Sequence, residues 1–291
     1  MRVLRFAGRA LLGLVGIAAV AGIWEAYKAL GPGDGVIVHG TVVLPRTTDM
    51  AMPHVWDMVH KFSEPVNIFS GDQTVGSAVL DACWFTLKLA ATGWVIGVVV
   101  GLALAVLMAR FRIAERAMLP WIVLSQTVPL IAIAPLVRRW GSQIHVFGTT
   151  WSSENSVSVI AAYLAFFPVA VGALRGLRSL EATHVDLLRA YGVGWWRGLL
   201  TMRLPASVPY MLPALRLAAA SAVIGTVVAE VSIGLRGGVG RMIIEYAQSA
   251  GGDPAKPWAP IFGAIGVGLV AAGVVGAIGL LLKPYRRGEA A

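Results

Sequence analysis

The sequence predicts an all-α, polytopic membrane protein of about six transmembrane helices. Three observations carry that prediction. Hydrophobic residues make up 57% of the 291 residues and charged residues only 13%, against about 25% charged in a soluble domain. Mean hydropathy is +0.74. Apolar runs at about 10–30, 82–109, 118–137, 156–174, 208–233 and 259–282 reach the roughly 20 residues a helix needs to cross a bilayer.

The first run follows Arg2, Arg5 and Arg9, and 19-AVA-21 resembles a signal-peptide cleavage site. The apolar character continues to Leu30, so a retained helix is expected. The loop 31–81 shows no core pattern, and within it 54-HVWDMVHKF-62 fits a short amphipathic helix on the membrane surface. Domain boundaries follow: 1–81 as an N-terminal helix plus extracytoplasmic loop, then 82–285 as a core.

In the second run, Gly93, Gly97 and Gly101 repeat every four residues, a spacing that lets helices approach closely. Lys88 either snorkels to the outer interface or faces a cavity and attracts an anionic solute. Pro120, Pro129 and Pro135 kink the third run and free carbonyls that lipid cannot satisfy. This helix is expected to face protein or a cavity. Gln126 and Thr127, just before Pro129, either join two helices or line a solute path.

The fourth run carries Gly172 and Gly176, again four apart, and Tyr163, Phe166 and Phe167 beside Pro168. Those rings serve packing, or stack on a planar solute. In the fifth run Arg216 and Glu230 lie about 21 Å apart along a helix and cannot pair. Arg216 is expected to snorkel. Glu230 precedes 234-GLRGGVG-240 and either pairs with Arg236 or Arg241 or lies near an outer gate. Gly263, Gly266, Gly268, Gly273, Gly276 and Gly279 predict tight packing for the last run.

The N-terminus, 110–116, 175–205 and the C-terminal tail hold 14 Lys/Arg; the loops 31–81, 138–154 and 234–257 hold 7. The positive-inside rule therefore puts both termini and the 175–205 segment in the cytoplasm of a multi-pass cell-membrane protein. The net charge of +9 belongs to such loops; no basic stripe interleaves with aromatics as nucleic-acid binding needs. His39, His54, His60, His145 and His184 are scattered, and Cys83 is alone. No metal-ligand spacing and no disulfide follow. No Ser/His/Asp cluster or carboxylate pair points to an enzyme.

The most polar excursion is 186-DLLRAYGVGWWRGLLTMRLPASVP-209. Residues 178–191 read as a helix, with Leu180, Leu187, Leu188 and Tyr191 on an apolar face and Glu181, Asp186 and Arg189 on a polar one. Gly192 and Gly194 supply positive φ to end it. A second short helix, 195–203, is expected to stop at Leu204-Pro205, and Pro209 and Pro213 to start the next span. The product is a protruding helical hairpin whose apolar face, including Trp195 and Trp196, is covered by lipid headgroups or a partner protein.

This stretch resembles the cytoplasmic signature of ABC importer permeases: E-A-A, three residues, G, nine residues, I-x-L-P. Asp186-Leu187-Leu188 stands for Glu-Ala-Ala, Gly192 for the glycine, Met202 for the isoleucine, and Leu204-Pro205 completes it. The resemblance extends over about 80–285, through 124-LSQTVPLIAIAPLV-137, 163-YLAFFPVAVGALRGL-177, 203-RLPASVPYMLPALRLA-218 and 229-AEVSIGLRGGVGRMI-243. It is similar to the binding-protein-dependent subfamily for nitrate, sulfonate, taurine and thiamine-precursor pyrimidines, and 130-LIAIAPL-136 with 234-GLRGGVG-240 leans toward a pyrimidine or riboflavin-like solute. Arg138 and Arg139 stand where that family is usually apolar.

The resemblance implies a type I ABC importer permease fold, with a coupling segment, 178–205, docking on ATPase subunits. Its contact residues would be Glu181, Asp186, Leu187, Leu188, Arg189, Ala190, Gly192, Leu204 and Pro205. The translocation path would draw on Gln126, Thr127, Pro129, Tyr163, Phe166, Phe167 and Glu230. Implied partners are a second permease chain, identical or related, an extracytoplasmic solute-binding protein and membrane lipids. The chain has no Gly-Lys dipeptide and so no Walker A loop; ATP and Mg would bind the ATPase partner, with no cofactor on this chain. An ion-coupled secondary transporter is the rival reading, and would need ionisable groups at mid-membrane.

Overall fold

The computed structural model describes residues 2–38, 41–66, 73–143, 145–146 and 149–281. His39 and the basic tail with Lys283, Arg286 and Arg287 lie outside the described residues, as do the side chains of Arg2, Arg5, Arg9 and His145. The chain is helical almost throughout: α1 (Arg2–Leu30), α2 (Val55–His60), α3 (Val75–Arg110), α4 (Arg112–Ser125), α5 (Leu130–Gly141), α6 (Ser153–Leu177), α7 (Ala182–Ala190), α8 (Trp195–Gly198), α9 (Leu204–Ile233), α10 (Val239–Gln248) and α11 (Trp258–Leu281). Among the described residues, five helical stretches are long and apolar enough to cross a membrane, and a sixth arises if α4 and α5 count as one broken span. The break is sharp, with α4 and α5 meeting at 104°.

The chain divides into two compact units. One comprises residues up to Leu80 together with Ile243–Phe262. The stretch after α1, patternless in sequence, is ordered here by contacts with residues distant along the chain. Lys28 Nζ donates to Asp49 Oδ1 and to the Met52 carbonyl, each at 2.6 Å. Glu25 accepts from the Val55 amide at 2.7 Å and meets His54 Nδ1 at 2.8 Å. Trp24 donates to the Pro53 carbonyl and sits edge-on to Trp258, ring centroids 5.2 Å apart. Lys61 joins Glu64 at 2.6 Å and Asp253 at 2.7 Å. A short antiparallel hairpin, β1 (Val36–Val38) and β2 (Thr41–Leu44), completes this unit. The amphipathic element expected at 54–62 forms as α2 plus one 3-10 turn, with Met58 buried and Trp56 and Val59 outward.

The other unit, Asp81–Met242 and Gly263–Ala291, is built by close helix approach. A Cβ on Gly93, Gly97 or Gly101 would lie within 3 Å of α6 atoms: Ala161, Ala165 and the Phe166 carbonyl respectively. Gly172 and Gly176 stand in the same relation to Ala214 and Ser207 of α9. These small residues let backbones approach until dispersion contacts are dense, which is how helices associate where lipid removes the hydrophobic drive. The core between α6 and α9 is correspondingly alanine-rich: Ala161, Ala165, Ala218 and Ala222 are fully buried. In α11 the expectation holds only in part: Gly263 is buried and a Cβ on Gly279 would meet Leu212 at 3.5 Å and Arg216 at 3.6 Å, whereas Gly266, Gly268, Gly273 and Gly276 meet nothing within 4 Å.

Candidate functional site

The 178–205 segment is built from its termini. Helix α7 begins at Ala182, with Glu181 as its cap residue, rather than at 178. It ends in a Schellman arrangement: the Gly192 amide donates to the Arg189 carbonyl and the Val193 amide to the Leu188 carbonyl, both at 2.9 Å. That 5→2, 6→1 pair requires a left-handed residue at the glycine, and Gly192 has φ +65°. Gly194 does not share this role; its φ of −62° makes it the ordinary extended cap of α8. The apolar face also differs from the helical-wheel expectation. Leu188 turns inward toward Gly198, with Val185 half-buried beside it. Leu187 and Tyr191, one turn apart, point outward at 51% and 78% exposure. Asp186, Arg189 and Ala190 are exposed around them, and Arg189 pairs with Asp186 at 3.2 Å.

The second helix does not stop at Leu204-Pro205. It runs on through a π turn, Leu199–Arg203, directly into α9, giving one helical stretch from Trp195 to Ile233. The physical reason lies in the hydrogen-bond ladder. Proline lacks the amide that bonds four residues back, and its ring crowds that carbonyl. In the π turn the Leu204 amide reaches back five residues, to Leu199, so the ladder shifts by one just before Pro205. Such single-turn bulges recur at functional positions. Pro205, Pro209 and Pro213 follow at intervals of four, so the carbonyls they leave free line one face of α9 and the helix continues through all three.

Arginines tie this segment to its neighbours. Arg178, at the end of α6, donates to the Met108 carbonyl of α3 at 3.1 Å and pairs with Glu115 of α4. Arg203 donates to the Leu177 carbonyl of α6 at 3.2 Å. Arg110 lies 5.3 Å from the Trp195 ring. Cations here meet unpaired helix C-terminal carbonyls, where the macrodipole favours them. Sequence reasoning counted these arginines as topology signals and missed them as braces.

Tyr163 links α6 to the end of α4, beside the solute-path candidates Gln126, Thr127 and Pro129. Gln126 and Thr127 occupy the α4–α5 break, at the middle of that broken span, and Pro129 caps α5. The Thr127 hydroxyl donates to the Leu124 carbonyl at 2.8 Å, and the Tyr163 hydroxyl of α6 donates to the Ser125 carbonyl. Phe166 lies 6.0 Å from the Tyr163 ring. Phe166 and Phe167 also pack on the cluster around Met108 and Leu174. Glu230 is held elsewhere, fully buried: it accepts from Thr86 of α3 and from the Gly240 amide, both at 2.8 Å. Those two partners replace the arginine pairing as the contacts that define its position, and Thr86, one threonine in an apolar run, offered no signal. At the far end of α5, Arg138 donates to the Ile233 carbonyl that ends α9, at 2.9 Å. Its charge thus has a capping role where an apolar residue was anticipated. Lys88 is exposed, 5.9 Å from the Phe85 ring. It borders an otherwise apolar cavity of about 240 Å³ between α3, α9 and α11, with Trp84, Trp94 and Val223. Among the described residues no three His, Cys, Asp or Glu side chains converge as a metal site would require.

Known proteins share this sequence pattern. A probable ABC transporter permease of Haemophilus influenzae is 33% identical over 198 residues, 65% of this chain and 77% of that protein. The formylaminopyrimidine transport permease of Halalkalibacterium halodurans is 31% identical over 206 residues, 69% of this chain and 76% of its own length. The putative aliphatic sulfonates transport permease of Bacillus subtilis is 29% identical over 236 residues, 81% and 74% of the two chains. Residues 97–283 match the family described as binding-protein-dependent transport system inner membrane components. That range takes in α6, the braced 178–205 segment, the continuous α9 and the whole of α11, and the chain belongs to that family of ABC transporter permeases.

Proposed function

We propose that this chain is the transmembrane subunit through which an ATP-driven importer moves a small planar heterocycle, of the thiamine-precursor pyrimidine or flavin class, delivered by an extracytoplasmic binding protein. The observation that carries the transport reading is the α7 surface. Leu187 and Tyr191 stand exposed on a helix whose end is fixed by Gly192 and whose base is braced by Arg178 and Arg203. A rigid helix with an uncovered apolar edge and flanking charges suits docking into a groove on another protein. The ATPase subunits, carried on separate chains, are that partner, and both termini of this chain face them from the cytoplasm. Two permease chains flank the path. ATP-driven closure of the ATPase pair moves the braced segment as a body, and the helices switch between inward- and outward-open states.

The solute class rests on different support. A relative is named for formylaminopyrimidine, and Tyr163 and Phe166 offer aromatic surface beside the α4–α5 break. The docking reading is tested by Asp186→Arg with Arg189→Asp: loss of ATPase co-purification supports it, and undiminished association together with undiminished uptake refutes it. The solute class is tested by thermal shift of the cognate binding protein against pyrimidines, flavins and sulfonates. Stabilisation by sulfonates alone overturns the heterocycle assignment.

A further inference from the structure

Glu230 is an acidic side chain with no access to solvent, set at the junction of three helices. Its Oε1 accepts from the Thr86 hydroxyl of α3, and its Oε2 accepts from the Gly240 amide, each at 2.8 Å. Thr86 Oγ1 in turn accepts from the Val239 amide at 2.9 Å. The first amides of a helix have no partner within it. Here the opening amides of α10 are met by two side chains from other helices. The carboxylate also lies at the positive end of the α10 dipole, where a negative charge is stabilised. The surrounding glycines exist for this contact: a Cβ on Gly238 would fall 2.2 Å from the Glu230 carboxyl carbon, and one on Gly240 would fall 2.4 Å from the Val227 carbonyl. Nothing larger than glycine lets the strand of backbone after α9 fold back over its own glutamate.

The same helix that ends in this junction begins at the 178–205 segment. Trp195 to Ile233 is one helical stretch of 39 residues, about 58 Å at 1.5 Å per residue. Its start is braced to α6 through Arg203, and Glu230 sits one turn from its end. The docking end and the carboxylate thus belong to one continuous helical stretch, with a π turn and three prolines near its start, and a displacement of the docking end is carried along it to the carboxylate that holds the start of α10 and Thr86.

We propose that Glu230 and Thr86 are positioning residues forming a latch at the end of α9 opposite the docking segment, closed in one transport state and opened when ATP moves that segment. This rests on the permease reading above. A buried two-bond latch has two discrete states rather than a continuum, because a half-made contact leaves a buried carboxylate without its donors.

The test uses the intact complex of this chain with its ATPase subunits in lipid nanodiscs. Amide hydrogen exchange is followed on peptides covering 234–242, without nucleotide and with ATP bound to a hydrolysis-deficient ATPase. Exchange at the Val239 and Gly240 amides is expected to differ at least tenfold between the two states. Thr86→Val, which keeps shape and removes the hydroxyl, is expected to abolish most of that difference; Thr86→Ser is expected to retain it. A difference under twofold in the wild-type complex overturns the latch, as does a Thr86→Val complex that responds to ATP as the wild type does. A Thr86→Val chain that fails to assemble leaves the decision to the wild-type measurement, which suffices alone. An ATPase that fails to co-purify with the wild-type chain overturns the permease reading and the latch with it, before any exchange is measured.

Discussion

The contact between α3 and α6 makes a quantitative prediction at Gly97. An added Cβ there would lie 2.7 Å from the Ala165 Cβ, 2.9 Å from the Ala162 carbonyl oxygen and 3.1 Å from the Phe166 amide nitrogen. Two of those three atoms are backbone, and the third is bonded directly to it, so no rotamer change relieves the clash. Carbon atoms pack at about 3.5–4.0 Å, so the helices must separate locally by about 1 Å. A radial gap of that size forfeits a quarter to a half of each dispersion contact beside it. Overpacking of this kind costs about 1–3 kcal/mol, and Gly97→Ala belongs at the upper end because the whole Gly93–Gly101 face opens with it. Helix propensity pulls the other way by up to about 1 kcal/mol. A net loss of about 1–2 kcal/mol is expected, and Gly97→Leu should not fold. Gly266→Ala in α11 is the control: nothing lies within 4 Å of its Cβ position, so propensity alone acts and stability is unchanged or slightly raised. The assay is reversible unfolding in mixed micelles by SDS titration, with both variants in the same lipid-detergent background. Equal stabilities for Gly97→Ala and Gly266→Ala would refute the close-packing argument.

Other predictions follow from particular contacts. Gly192→Ala meets no steric obstacle but places a Cβ at positive φ, costing roughly 1–2 kcal/mol; ATPase co-purification should fall, and Gly192→Asn should restore most of it. Leu187→Glu should leave unfolding in micelles unchanged, since the side chain is half exposed, while ATPase pull-down is lost. Acidification should loosen the unit containing α2. The Lys28 hydrogen bond holds Asp49 below its ordinary value of 3.8, and the Lys61 hydrogen bond holds Glu64 below 4.5. A depressed carboxylate contributes stability above its unfolded pKa and loses it as pH falls through the folded one. Tryptophan fluorescence, with Trp24 and Trp258 in that unit, should therefore change as pH falls below the ordinary carboxylate values. Lys61 shifts upward: burial opposes its charge but is outweighed by hydrogen bonds to Asp253 and Glu64. Its contribution is complete below its unfolded value and lost only in strong base.

Much of the architecture was legible because lipid imposes a one-dimensional constraint. A spanning helix must satisfy its own backbone, so length and hydropathy marked the α1, α3, α6, α9 and α11 spans without reference to anything else. Four-residue glycine spacing marked one face of α3 and one of α6 as open to close approach, because helix geometry puts those positions on one face; the partners, α6 and α9, came from the fold. Glycine content was a weaker guide in α11, where Gly266, Gly268, Gly273 and Gly276 meet nothing within 4 Å: composition shows that a helix can be approached, not that something approaches it. Gly192 was legible through its chain position, and the segment around it through motif spacing. Three prolines in the third run predict bends without saying which becomes a break; the structure puts it at Gln126–Pro129.

By itself, then, the sequence determined the membrane-spanning class, the order of the spans and the polar segment between α6 and α9, since each depends on residues adjacent in the chain. Tertiary structure alone decided that this segment runs unbroken into α9, that Leu188 turns in while Leu187 turns out, and that Thr86 meets Glu230. Those depend on hydrogen-bond registers and on partners 144 residues apart in the chain, and no local periodicity encodes a partner so distant. The buried carboxylate makes the reason plain. Its position in α9 follows from neighbours in sequence, but what keeps it buried is a hydroxyl and an amide that only the folded chain brings to it.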